Sequence, residues 1–72
     1  MLKNAQVGQK AVRIMGEKGE ALWTFYAEVA AVDKETVTAL VWVDIPRPMR
    51  FWIDTGVNVA GEHYGWLELI PA

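Results

Sequence analysis

Thr36-Val37-Thr38-Ala39-Leu40-Val41-Trp42-Val43 is the stretch on which the fold turns. Val37, Ala39, Val41 and Val43 alternate with Thr36, Thr38, Leu40 and Trp42, and a period of two rich in β-branched residues is the signature of a strand with one buried face. The valines are expected to face a core and Leu40 and Trp42 to face outward. Immediately before it, Asp33-Lys34-Glu35 is a compact turn. Beyond that turn Trp23, Phe25, Ala27, Val29 and Ala31 again occupy alternate positions, so Trp23 to Val32 is expected to pair with the Thr36 stretch as a hairpin. A helix over Gly19 to Val32 competes on propensity, since Glu20, Ala21, Leu22, Ala27, Glu28, Ala30 and Ala31 are good helix formers. The alternation and the tight turn favour the strand.

Working outward, Ala11 to Met15 reads as the first strand, with Val12 and Ile14 inward and Arg13 between them. Gly16-Glu17-Lys18-Gly19 follows as a mobile loop, because two glycines in four residues open positive φ angles to the backbone. On the other side, Asp44-Ile45-Pro46-Arg47-Pro48 is expected to form a stiff hairpin tip, since neither proline can donate to a ladder. Met49 to Asp54 then returns, with Met49, Phe51 and Ile53 inward and Arg50, Trp52 and Asp54 outward. Val57 to Ala60, between Gly56 and Gly61, has room for one helical turn, and Gly65 to Ile70 forms a last short strand. The sequence therefore predicts an all-β domain of five strands, with residues 1 to 6 flexible or engaged at an interface.

The series of strands and turns resembles the SH3-like small β-barrel. Val7-Gly8-Gln9-Lys10-Ala11-Val12-Arg13-Ile14 is similar to the opening strand of the KOW and Tudor-type barrels, and Ala27 to Thr38 to their central hairpin. The resemblance implies a five-stranded barrel with a single helical turn before the last strand. It implies no particular activity, because that fold hosts several.

Composition narrows the classes of function. The 72 residues are 53% hydrophobic and 22% charged, which suits one small globular domain. A net charge of −2 offers no bulk attraction to long nucleic acid or anionic lipid. No apolar run approaches the roughly 18 residues of a membrane span, and the first residues lack a signal-peptide core, so a cytoplasmic location is the expectation. The chain contains no Cys and no Ser, and His63 is its single histidine. Disulfides, thiolate metal sites and Ser-His-Asp catalysis are thereby excluded, and neither a metal nor another cofactor is expected. Gly16 to Gly19 lacks the spacing of a phosphate-binding loop.

Asp54-Thr55-Gly56, after Phe51-Trp52-Ile53, resembles the catalytic triplet of retroviral-type aspartic proteases. That family also needs a flap and a second apolar-Gly segment, neither of which the stretch after Gly56 provides. The triplet is expected to be a turn, with Asp54 accepting backbone hydrogen bonds and Gly56 supplying a positive φ. In length and strand order the chain also resembles plasmid-borne type II dihydrofolate reductase, which would imply an active site at the centre of a tetramer. The family's Val-Gln-Ile-Tyr pore motif is absent, the corresponding stretch reading Phe51-Trp52-Ile53-Asp54.

Four tryptophans in so small a chain are more than a core of this size can hide. Pairing the third and fourth strands around the proline tip can bring Trp42 opposite Trp52, with Tyr26 and Glu28 beside Trp42 on the second strand. The expected site is an outward patch of Tyr26, Leu40, Trp42 and Trp52, edged by Glu28, Arg47 and Arg50. Trp, Tyr and Arg are the residues enriched at interaction hot spots. The expected function is therefore a non-enzymatic interaction module, resembling small accessory or regulatory proteins of phage or plasmid type. Its expected contacts are a second copy of itself and a protein partner, with stacking of a small nucleotide-like ligand as the alternative.

Overall fold

The computed structural model describes residues 1–16, 20 and 23–71, and the loop expected over Gly16 to Gly19 lies outside these residues at positions 17–19. The five strands are β1 (Lys10–Met15), β2 (Trp23–Val32), β3 (Thr36–Trp42), β4 (Pro46–Trp52) and β5 (Trp66–Leu69). All are antiparallel neighbours in one sheet of order β4-β3-β2-β1-β5. One 3-10 turn, Glu62–Tyr64, precedes β5. The domain is all-β, and Trp23–Val32 is a strand along its whole length rather than a helix.

The sheet is curled. A flat sheet of five strands would be about 10 Å thick with its covering side chains, whereas the Cα trace measures 27 × 25 × 23 Å. It does not close strand to strand, for β4 and β5 are not paired with each other. Residues 56–59 fill the gap. The Trp52 N–H donates to the Val57 carbonyl and the Val59 N–H to the Arg50 carbonyl, while the Leu67 N–H donates to the Gly56 carbonyl. Bridges Phe51↔Asn58 and Val57↔Trp66 thus tie each edge strand to the same short segment. The helical turn expected at Val57 to Ala60 is displaced to Glu62–Tyr64, because Val57 and Asn58 spend their backbone groups on these two edges.

The core is made by Ala11, Ala27, Val29, Val37, Ala39, Val41, Phe51 and Leu67, joined by Leu2. The opening residues, expected to lie loose or at an interface, contribute the last of these. The Leu2 N–H donates to the Ile53 carbonyl over 2.9 Å, which pins its side chain beneath the sheet.

Five local readings are corrected. The prolines do not stop the ladder: the tip is only Val43 to Ile45, and Pro46, Arg47 and Pro48 lie opposite Trp42, Val41 and Leu40. The Trp52 and Arg50 backbone groups face away from β3 toward residues 57–59, and Pro46 and Pro48 share their parity. The missing N–H groups therefore fall on the outer side of an edge strand, where proline is tolerated. Val43, released into the tip, is exposed rather than in the core.

In β1 the faces are reversed. Ala11 and Arg13 point inward, opposite Ala27 and Phe25, and Val12 lies half-exposed on the outer face opposite Tyr26. Ile14, on that same outer face, is buried beside its neighbour Trp66. In β2 a bulge between Val29 and Ala31 shifts the register, so Ala31 leaves the core. Thr36, expected outward, is buried because its hydroxyl donates to Asp33 Oδ2 across the turn, 2.9 Å away.

Candidate functional site

The register fixes what the outer face presents. Val12 lies opposite Tyr26, Tyr26 follows the Ala27↔Val41 pair and so stands beside Trp42, and Trp42 lies opposite Pro46. Four strands thereby contribute one apolar side chain each to a single row. A second row, Lys10, Glu28, Leu40 and Pro48, runs alongside it. Tyr26 and Trp42 touch, with ring centroids 5.1 Å apart and planes inclined by 50°. Tyr26 is 43% and Trp42 36% exposed, so a substantial part of each ring meets solvent, while Leu40 and Glu28 are half-buried between them and the next row. A tilted pair at this separation is a favoured aromatic arrangement.

Trp52 does not belong to this group. It lies opposite Thr36, not Trp42, because a three-residue tip pairs Trp42 with Pro46 and carries Trp52 to the far end of the hairpin. Six residues of strand separate the two positions, about 20 Å at the usual rise. Arg50 stays with Trp52, opposite Thr38, and its guanidinium donates to the Thr36 hydroxyl at 3.4 Å. Arg47 reaches back to the tip, where its Nε lies 3.5 Å from Asp44 Oδ1. Of the seven residues expected to form one site, Tyr26, Glu28, Leu40 and Trp42 are brought together. Arg47, opposite the buried Val41, belongs to the other face of β4, and Arg50 and Trp52 are remote.

The two prolines are the part of the face that residue types alone did not reveal. Read as turn residues they had no place on a binding surface, and only the length of the tip puts them there. Trp23 is 60% exposed at the overhanging start of β2, and Trp66 is half-buried with its Nε1–H donating to Glu68 Oε2 over 3.0 Å.

The acidic turns are electrostatically quiet. Asp33 Oδ1 accepts from the Glu35 and Thr36 N–H groups at 2.9 and 2.8 Å, and these bonds hold its carboxyl below the usual aspartate range. The Ile45 N–H does the same for Asp44. In the Asp54-Thr55-Gly56 turn Gly56 has φ 78° as expected, but the side chain that accepts a backbone N–H, from Val57, is Thr55 rather than Asp54. Among the described residues no three His, Cys, Asp or Glu side chains gather as a metal ion requires, and no helix is long and apolar enough to cross a membrane.

Comparison with known proteins finds no matching family model, no matching curated protein and no matching solved structure.

Proposed function

We propose that the protein is a non-enzymatic interaction module that docks a protein partner on the outer face of its sheet, centred on Tyr26 and Trp42. The observation that carries this reading is the cross-strand row Val12, Tyr26, Trp42, Pro46 with Leu40 and Pro48 beside it, an apolar surface built from four neighbouring strands. A contiguous apolar surface of this kind is uncommon on a chain with no partner, and a pair of rigid aromatic rings is the usual anchor of such contacts. The rings lean on each other at 50°, and the Arg47 guanidinium, expected at the edge of the patch, is engaged by Asp44. That arrangement suits a broad protein contact better than a stacked nucleotide. The charged residues Lys10 and Glu28, paired across β1 and β2 at the border of the row, give the rim both signs of charge.

The test is recovery of partners from host lysate on the immobilised protein, compared for wild type, Trp42→Ala and Trp52→Ala. A protein retained by wild type and Trp52→Ala but lost with Trp42→Ala supports the reading. Equal retention by all three overturns it. Sedimentation of the purified wild type and Trp42→Ala shows whether the partner is a second copy of the chain.

A further inference from the structure

Away from the outer face, a groove of about 450 Å³ opens between Arg13, Met49, Asn58, Val59, Ala60 and Tyr64. Arg13 is 5% exposed, and burying a guanidinium is costly unless an anion or a set of acceptors compensates it. Its Nε and Nη2 both donate to one oxygen, the Tyr64 carbonyl, at 3.1 and 2.8 Å. Its plane lies over Phe25, 5.3 Å from the ring centre. No carboxylate pairs with it among the described residues. Because the carbonyl occupies the Nε edge of the guanidinium, the edge formed by Nη1 and the second Nη2 hydrogen has no partner among the described residues. Nη1 is not sealed from solvent, since among the described residues no buried side-chain nitrogen lacks a partner, and Arg13 contributes to the wall of the groove.

A second buried donor lines the same groove. Asn58 is 7% exposed; its Oδ1 accepts from the Ala60 N–H at 2.9 Å, but the only acceptor for its Nδ2 among the described residues is the thioether sulfur of Met49 at 4.0 Å. Sulfur at that distance is a weak substitute for oxygen. The protein thus brings two buried donor groups to one opening, and among the described residues neither Arg13 Nη1 nor Asn58 Nδ2 has an oxygen acceptor. Arg50 also borders the groove, with its guanidinium turned to Thr36, and among the described residues no Asp or Glu lines it.

We propose that this groove is a binding site for a carboxylate carried on a short apolar stem. The free edge of a guanidinium presents two parallel N–H groups that match the two oxygens of a carboxylate, and Asn58 Nδ2 adds a neutral donor. With the Arg50 guanidinium turned to Thr36, Arg13 supplies, among the described residues, the one free guanidinium edge at the groove, which suits a monoanion rather than a phosphate dianion. Met49, Val59, Ala60 and the Tyr64 ring give the stem an apolar bed.

The experiment is a titration of the ¹⁵N-labelled protein with 3-phenylpropionate, following the Arg13 Nε–H and Asn58 Nδ2 resonances. The expected result is saturable movement of both with the acid, little with 3-phenylpropionamide, and little with inorganic phosphate. Asn58→Asp keeps the Oδ1 that caps Ala60 and places a carboxylate of the protein's own in the groove, so it should weaken the acid by at least about tenfold without lowering the melting temperature. Val59→Glu, on the exposed wall, provides the same test without touching a buried residue. Absence of movement with the acid, equal movement with the amide or with phosphate, or unchanged affinity in a folded variant would each overturn the assignment.

Discussion

Trp42 and Trp52 stand at opposite ends of one hairpin, the first opposite Pro46 and the second opposite Thr36. Both are partly exposed, at 36% and 39%, yet only Trp42 has an aromatic neighbour, Tyr26, to share a surface with. Replacing either indole by alanine should leave the domain folded, because neither side chain fills the core. Association should fall by about 2 kcal/mol or more for Trp42→Ala, as for a central aromatic anchor, and change little for Trp52→Ala. Phe51→Ala is the contrasting case. Phe51 is fully buried, and its loss should cost roughly 3–5 kcal/mol, enough to unfold most of so small a domain at room temperature. Thermal melts and binding isotherms of the three variants check both halves of this expectation.

Gly65 and Gly8 have nearly the same φ, 92° and 90°, in different surroundings. A Cβ on Gly65 would collide with the Ile14 carbonyl, whereas one on Gly8 would meet nothing within 4 Å. Gly8→Ala should therefore lose only the conformational term, about 1 kcal/mol, and Gly65→Ala at least about twice that, because β1 must move to admit the methyl group. Urea unfolding midpoints measured side by side separate strain from collision.

The turn at Asp33 predicts a dependence on acid. Its folded-state pKa is depressed by the N–H groups of Glu35 and Thr36 and the Thr36 hydroxyl. The unfolded state thus binds a proton more readily than the folded state, and stability rises with pH across the interval between the two values. The contribution is complete above the ordinary aspartate range, near pH 4, and is lost as the pH falls through the lower folded value. In Asp33→Asn this segment of the pH profile should flatten. Denaturation midpoints from pH 2 to pH 6, with direct titration of the Asp33 carboxyl carbon by NMR, make the comparison.

Leu2 supplies a prediction about the amino-terminal segment. It is 1% exposed and anchored by its N–H to Ile53, so Leu2→Ala should cost about 2–4 kcal/mol. Hydrogen exchange at the Ile53 turn should quicken with it. A variant as stable as wild type would mean that the segment is dispensable to the core.

Much of the fold is legible in residue order because the informative signal is local. The alternation across Trp23 to Val32 and across Thr36 to Trp42, with a turn-forming Asp33 between, is enough to define the central hairpin. What escapes is set by distant partners. Val12, Arg13 and Ile14 alternate equally well with either face inward. The choice is made by Ala11, small enough to lie against Ala27, and by a carbonyl at Tyr64 that compensates the Arg13 guanidinium from across the chain. Trp42 and Trp52 were separable only with the tip length known, and the prolines obscured that length. A proline forbids a hydrogen bond on one side of a strand but leaves the other side intact. Along the outer face, Tyr26, Glu28, Leu40 and Trp42 were legible as a group for the same reason that the central hairpin was, since its register follows from one short turn.

The parity of Pro46 and Pro48 also locks the hairpin against slippage. Sliding β4 by one residue would aim both rings at β3, deleting two ladder donors together, and would exchange Phe51 for Trp52 at the core. Two unrelated penalties thus guard one alignment, so this edge is poorly suited to recruiting a strand from another molecule or to trading hairpins with it. The exposed tip that joins β3 to β4, Val43 to Ile45, starts that alignment, and the two penalties then hold it along the strands beyond, which makes the tip the natural position at which to splice an epitope or a fluorophore-binding peptide into the protein.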